Sequence, residues 1–132
     1  MTILTVSLLP LDGKKCQASI ELGFILDGSS SMGASNFGKM LTFVKDILDH
    51  FVIFSYNTRV SVITYASSTA MEISFAQTFS TKQDLHLAID AIAYPGGDTN
   101  TGAALHKAYS EMFHENVTRA ALGKSANALT QA

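Results

Sequence analysis

The length, composition and charge of the chain limit the classes to which it can belong. Its 132 residues have the size of one domain, and with 47% hydrophobic and 15% charged residues the chain can bury a core. The net charge is −2 and basic residues do not alternate with aromatic ones, so we expect no nucleic-acid partner. We expect no membrane span, because no apolar stretch is long enough. A single cysteine, Cys16, excludes an internal disulfide.

The first 18 residues are interpreted as an N-terminal lead segment. They contain Pro10 and the turn-forming run Asp12-Gly13-Lys14-Lys15. Residues 1–10 are apolar like part of a signal peptide, but they lack the basic start and the small-residue cleavage site of one. We therefore expect residues 1–18 to lead into a domain that covers residues 19–132.

The apolar pattern of the following residues predicts strands that alternate with helices. Stretches rich in apolar or β-branched residues predict strands over 20–26, 59–65 and 71–75. Apolar residues at helical spacing predict helices over 40–51, 85–92 and 105–112. The first strand lacks alternation and should be buried on both faces, and the last two should form an antiparallel hairpin. A strand, a crossover helix and a second strand indicate a parallel pair and an α/β fold.

Local signals indicate where the helices begin and which face they bury. Thr81, followed by Asp84 three residues later, predicts a capping box at the start of the second helix. The third helix should bury an apolar stripe formed by Leu105, Ala108, Tyr109 and Met112.

The first strand ends in the sequence Asp27-Gly28-Ser29-Ser30-Ser31, which places one carboxylate and two hydroxyls at alternate positions. Ligands of α/β sheets collect at the carboxyl ends of strands. Oxygen donors of this kind suit a small hard cation such as Mg²⁺. The alternative is an Asx turn, in which Asp27 and the serines bond to loop backbone and no metal is held.

A second polar loop, residues 95–102, adds a later motif. Together, Asp-x-Ser-x-Ser and Gly-Gly-Asp-Thr-Asn-Thr-Gly resemble the von Willebrand factor A domain over about residues 20–112. The resemblance implies a Rossmann-like three-layer sandwich with a mainly parallel sheet and one antiparallel edge strand. It also implies a metal-ion-dependent adhesion site, in which Asp27, Ser29 and Ser31 match the first motif and Thr99 matches the second-loop threonine. Thr101 is expected to cap the third helix instead.

The sequence departs from the family after the third helix. The family completes its site with an aspartate that follows a further strand, usually in a run ending Thr-Asp-Gly, and no such run precedes Ala132. We therefore expect the C-terminal part of the domain to be missing and residues 22–26 to form an unpaired strand edge. Asp98 is a candidate substitute carboxylate, but we expect it to shape its loop. Cys16 is either a free thiol or, as the resemblance implies, paired with a partner that lies outside this chain.

The resemblance implies a function in adhesion. One carboxylate and neutral hydroxyls would leave Mg²⁺, or alternatively Mn²⁺ or Ca²⁺, electrophilic, so that it attracts an acidic group of a partner. We expect an extracellular or secreted protein-binding module of matrix or cell-surface type, whose ligand is a protein with an acidic residue, such as collagen. We expect no enzyme, because the histidines are scattered and no nucleophile elbow or phosphate loop is present.

Two other functions are compatible with the same residues. One is a metal-independent structural fragment of the matrix, suggested by the missing aspartate and the expected strand edge. The other is a non-catalytic A-domain subunit of an intracellular ATPase-linked complex, although the chain has no nucleotide site of its own.

Overall fold

The computed structural model describes residues 2–6, 20–53, 58–114 and 126–130. The strands are β1 (Thr2–Val6), β2 (Ile20–Asp27), β3 (Thr58–Tyr65), β4 (Thr69–Ile73) and β5 (Ala126–Thr130). The helices are α1 (Ala34–Leu48), α2 (Lys82–Asp90) and α3 (Thr101–Lys107), and α3 continues into a π-helical turn (Ala108–Met112). Among the described residues, no helix has the length and hydropathy needed to cross a bilayer. Cys16 lies outside the described residues.

The five strands form one sheet in the order β4-β3-β2-β1-β5. β2 and β3 are parallel along their whole length, because α1 crosses over one face of the sheet between them. β4 is antiparallel to β3 and forms an edge, as the hairpin prediction requires. The α/β class is thus confirmed. The sheet is mixed, since β1 is antiparallel to both β2 and β5, and β2–β3 is the one parallel pair among the described strands.

The expectation of an unpaired edge along residues 22–26 is wrong. β1 pairs with β2 in antiparallel register, from Thr2 opposite Ile25 to Val6 opposite Glu21. The sequence of β1, Thr-Ile-Leu-Thr-Val, has high β propensity. The backbone of β1 pairs with the N–H and C=O groups that β2 would otherwise leave unpaired. β1 falls within the segment interpreted as a lead, and the boundary between residues 18 and 19 stays a prediction.

The core lies on both faces of β2, as its lack of alternation predicts. Seven of its eight residues are buried. Leu22, Phe24 and Leu26 pack into a larger cluster with the buried residues of α1 and α2. Ile25 packs on the opposite face with Ala104 of α3 and its neighbours. The parallel pair is therefore covered by helices on both sides, which holds the end of β2 in a rigid setting.

The helix starts are set by side chains close in sequence. The predicted capping box of α2 is present: the Thr81 side chain accepts from the Asp84 N–H at 3.1 Å, and Asp84 accepts from the Thr81 N–H at 3.0 Å. The expectation that Thr101 caps α3 is wrong, because the Asn100 side chain accepts from the Ala103 N–H at 3.0 Å. Asn100 provides the acceptor that the free N–H groups of the first turn require. The Thr101 side chain therefore takes no part in this cap.

Candidate functional site

Three loops meet where β2 and β3 end. They are the first loop (residues 28–33), the hairpin turn (66–68) and the second loop (95–100). β2 and β3 are parallel, so their carboxyl ends lie side by side, and the second loop leads into α3 over them. We refer to this assembly as the three-loop site.

Hydrogen bonds fasten the second loop to the first. The Ser30 N–H donates to the Gly97 carbonyl at 2.8 Å, and the Gly97 N–H donates to Ser30 Oγ at the same distance. The Gly96 N–H donates to the Gly28 carbonyl at 2.9 Å. These hydrogen bonds hold two loops that are 67 residues apart in sequence in a fixed position relative to each other.

The second loop is also fastened to the hairpin turn. The Asp98 N–H donates to Ser67 Oγ at 2.8 Å, and the Asn100 N–H donates to the Ala66 carbonyl at 2.9 Å. Gly97 has φ 106°, and a Cβ on it would lie 2.5 Å from Ser67 Oγ, so this position requires glycine. Thr99 lies between the two anchored residues and is exposed. Its backbone position is therefore defined while its side chain is accessible.

The first loop brings three of the predicted site residues together. Asp27 Oδ1 accepts from the Ser29 N–H at 2.8 Å, so the Asx turn is present. The hydroxyls of Ser29 and Ser31 lie 3.0 Å apart. The Asx turn occupies one lone pair of the carboxylate and leaves its other oxygen, so turn and cation site are compatible. Ser29 is buried, Asp27 is partly buried and Ser31 is exposed, so the cluster opens toward solvent.

Tyr65 is a member of the site that the sequence patterns did not indicate. It is the cross-strand partner of Asp27 and packs in one cluster with Ala104 of α3 and Ala108. Burial raises the pKa of the Tyr65 hydroxyl above its usual value. The neighbouring Thr101 side chain lowers this pKa, and the neighbouring charge of Asp27 raises it. The phenol is therefore neutral at pH 7 and can donate a proton in a hydrogen bond.

The donor set of the site suits a hard cation. It contains one carboxylate and two neighbouring hydroxyls, with the exposed Thr99 hydroxyl on the adjoining loop. Across residues 20–53 and 58–114, no group of three or more His, Cys, Asp or Glu side chains is placed to hold a metal ion. Mg²⁺ typically binds at sites that supply one or two carboxylates and other oxygens, and the ion keeps several of its water ligands there. The assignment of Asp27, Ser29, Ser31 and Thr99 as ligands stays a prediction.

Gly28→Ala is expected to lower the free energy of unfolding by about 1–3 kcal/mol, because overpacking of a tight contact has costs of this size. A Cβ at Gly28 would lie 2.3 Å from Pro95 Cγ and 2.5 Å from Pro95 Cδ, and the proline ring cannot rotate away. Urea unfolding of the variant and the wild type measures the difference.

The matched control is Gly38→Ala on the exposed side of α1, where a Cβ meets no atom within 4 Å. This substitution should raise the free energy of unfolding by about 0.5–1 kcal/mol, since alanine favours a helix over glycine. Equal effects of the two substitutions would contradict the close approach of the first and second loops.

The fold and the three-loop site define a von Willebrand factor type A domain. The sequence profile of this domain matches residues 21–127, and the chain belongs to the family. The predicted family is thereby confirmed.

The chain is similar to several proteins of the extracellular matrix. It is 39% identical to bovine (Bos taurus) vitrin over 103 residues, which are 78% of this chain and 16% of vitrin. It is 37% identical to guinea-pig (Cavia porcellus) cochlin over 92 residues, which are 70% of this chain and 16% of cochlin. The chain thus spans about a sixth of the length of these relatives.

A solved structure has the same fold. It is proximal thread matrix protein 1 from the mussel byssus, with a zinc-occupied MIDAS (metal-ion-dependent adhesion site) motif. The TM-score is 0.69 at 30% identity, over 76% of this chain and 26% of that protein. The matrix setting of these proteins confirms the expected extracellular location and the matrix class of the domain.

Proposed function

We propose that the chain is a cation-dependent protein-binding module of the extracellular matrix, which holds Mg²⁺ through Asp27, Ser29, Ser31 and Thr99 and binds an acidic group of a partner protein. One observation carries the proposal. The Asp27 carboxylate accepts from the Ser29 N–H, the Ser29 and Ser31 hydroxyls lie 3.0 Å apart, and the loop of these serines is fastened to the loop of Thr99. Preorganised oxygens of this kind bind a cation without first ordering the chain.

The charge of the site supports an acidic ligand. The donors named above include one carboxylate, so a divalent cation bound by them would retain a net positive charge. A carboxylate from a partner would neutralise that charge and complete the oxygen coordination. Because Ser31 and Thr99 are exposed, the cation would be reachable from outside the protein. The site is thus suited to a cation shared between two proteins.

The relatives support divalent-cation chemistry and a matrix partner. The byssus protein carries zinc in its MIDAS motif. Zn²⁺ is a softer ion than Mg²⁺, and oxygen donors favour Mg²⁺, with Mn²⁺ and Ca²⁺ as alternatives. The chain is also 40% identical over 86 residues to the human (Homo sapiens) collagen alpha-6(VI) chain, across 65% of this chain and 4% of that one. We therefore propose a protein of the matrix, such as a collagen, as the partner.

The alternatives receive less support. The metal-independent matrix fragment was suggested partly by an open strand edge, and β1 occupies that edge. The ATPase-linked subunit belongs inside cells, whereas the relatives are matrix proteins. A binding role agrees better with those relatives than a catalytic one.

Thr99→Ala is expected to weaken Mg²⁺ binding by about tenfold, since the threonine would supply one neutral ligand and the carboxylate would remain. Isothermal titration with Mg²⁺ gives the dissociation constant of each variant. Capture on immobilised collagen, with and without EDTA, tests the cation dependence of partner binding.

The control is Thr78→Ala, which removes an exposed threonine hydroxyl after β4, at the end of the sheet away from the three loops. It should leave both measurements unchanged. If the wild-type chain shows no Mg²⁺ binding, and EDTA has no effect on collagen capture, the proposed function is wrong.

A further inference from the structure

The backbone of Ser29 is held by hydrogen bonds on both of its polar groups. Its N–H donates to Asp27 Oδ1 at 2.8 Å, and its carbonyl accepts from the Met32 N–H at 3.0 Å. The same carbonyl accepts from the Tyr94 hydroxyl, also at 3.0 Å. A carbonyl oxygen has two lone pairs, so both are used. Ser29 is 1% exposed, so these hydrogen bonds, rather than water, satisfy its backbone.

The Tyr94 ring is itself held by the core. It is partly buried and packs against the larger cluster, between β2 and the helices α1 and α2. Its centre lies 5.5 Å from the ring centre of Phe37, a buried residue of α1, and the two planes are tilted by 50°. Aromatic pairs at this separation stabilise each other. The packed ring thus presents its hydroxyl to the Ser29 carbonyl from a fixed position.

The hydrogen bond of Tyr94 differs from the other contacts that fasten the second loop to the first. In the part of the chain that the structure describes, the other hydrogen bonds between residues 94–100 and 28–33 end on Gly28 and Ser30, which are not predicted ligands. The Tyr94 bond ends on Ser29, which is one. Loss of the Tyr94 hydroxyl would therefore leave the two loops fastened together and remove one restraint at Ser29.

Building on the proposed function, we propose that Tyr94 is a positioning residue, which fixes the Ser29 carbonyl through its hydroxyl and thereby sets the affinity of the cation site. In this role the phenol acts through Ser29 and is not a ligand of the cation. The Ser29 N–H in turn holds the Asp27 carboxylate, and the Ser29 hydroxyl lies 3.0 Å from that of Ser31. Rotation of the Ser29 backbone would disturb all three predicted ligands. Groups that orient a metal ligand typically change metal affinity by about 10–100-fold.

Tyr94→Phe tests this role, because it keeps the ring and its packing on Phe37 and removes the hydroxyl. We expect it to weaken Mg²⁺ binding about tenfold in isothermal titration. This is the lower end of the usual range, since the Met32 N–H still holds the Ser29 carbonyl. Replacement of Tyr94 by 4-aminophenylalanine places an N–H donor at the same end of the ring and should restore most of the affinity.

Amide hydrogen exchange, followed by NMR without metal, provides a second readout. The Met32 N–H shares the Ser29 carbonyl with the Tyr94 hydroxyl. In Tyr94→Phe it should exchange about fivefold faster, the usual net effect of one hydrogen bond. The Gly96 N–H, which donates to Gly28, should exchange as in the wild type, because the loops stay fastened together.

The matched control is Ser61→Ala. Ser61 is fully buried in β3, and its hydroxyl donates to the Ile73 carbonyl at 2.8 Å. Like Tyr94→Phe, this variant removes a hydroxyl that donates to a backbone carbonyl, so it should lower Tm at least as much. Its Mg²⁺ affinity should equal that of the wild type, because the lost hydrogen bond joins β3 to the end of β4 and involves none of the three loops.

The possible results separate this inference from the proposed function. If the wild type binds Mg²⁺ and Tyr94→Phe binds it equally well, the positioning role is wrong and the proposed function stands. Equal losses of affinity in Tyr94→Phe and Ser61→Ala would also contradict the role, since reduced stability would then explain both. If the wild type does not bind Mg²⁺, the proposed function fails, and with it the role of Tyr94 in cation affinity.

Discussion

Asp27→Ala is expected to reduce Mg²⁺ affinity by at least about 100-fold, because it removes the charged ligand, and losing a group that merely orients a metal ligand already costs about 10–100-fold. Asp27 is the last residue of β2, and its carboxylate accepts from the Ser29 N–H of the first loop, where the Ser29 and Ser31 hydroxyls lie 3.0 Å apart. Without it, only neutral hydroxyls and water would bind the cation, and no ligand of this site would offset its charge. Isothermal titration measures the affinity, and partner capture should fall to its level in EDTA.

Two further variants separate the loss of charge from the loss of structure. Asp27→Asn retains an oxygen that can accept the Ser29 N–H and should still lose most Mg²⁺ affinity. Asp98→Ala removes an exposed carboxylate of the second loop and preserves the backbone hydrogen bond to Ser67. If Asp27→Asn kept full Mg²⁺ affinity and Asp98→Ala lost it, Asp98 rather than Asp27 would be the carboxylate that binds the cation.

Arg59→Leu is expected to lower the free energy of unfolding by about 3–5 kcal/mol, the usual effect of removing one partner from a buried ion pair. Glu21 on β2 is fully buried and lies opposite Arg59 on β3. Arg59 Nε lies 2.9 and 3.1 Å from the two carboxylate oxygens of Glu21, and Arg59 Nη2 lies 2.8 Å from Oε1. The guanidinium also lies 5.7 Å from the centre of the Phe75 ring.

Urea unfolding at pH 7 measures this effect, and an exposed ion pair provides the comparison. Lys107→Ala breaks the i,i+4 pair with Glu111, which is solvent-exposed, and should change the free energy of unfolding by less than about 1 kcal/mol. Replacing Glu21 and Arg59 together by leucine and methionine should recover much of the loss, because no buried charge then remains. An Arg59→Leu variant as stable as the wild type would contradict this account of the pair.

Sequence patterns predicted the elements that depend on nearby residues. The unbroken apolar run of β2 matches a strand buried on both faces. The Thr81 and Asp84 capping box was predictable because its donors and acceptors are three residues apart. The convergence of Ser29 and Ser31 beside Asp27 belongs to the same class, since a five-residue turn brings the three side chains together.

The third helix was predicted less well. Ala108 and Met112 of its expected stripe are buried, but Leu105 is 47% exposed and Tyr109 is 82% exposed. The helix buries Ala104, and it changes to π-helical geometry at Ala108, where the Phe113 N–H donates to the Ala108 carbonyl at 2.9 Å. A change in residues per turn alters which side chains share a face, and a fixed helical period does not anticipate it.

By itself, the sequence determined the α/β class through the local patterns of its strands and helices, and the turn after β2 through the spacing of Asp27, Ser29 and Ser31. The resemblance of two motifs to a known domain indicated the family. Only the tertiary structure decided which strands pair and which distant side chains meet. It placed β1 on the edge of β2, Arg59 against the buried Glu21, and Tyr65 beside Asp27. These contacts join segments far apart along the chain, and the physical reason is that register and burial are properties of the assembled sheet rather than of any one strand.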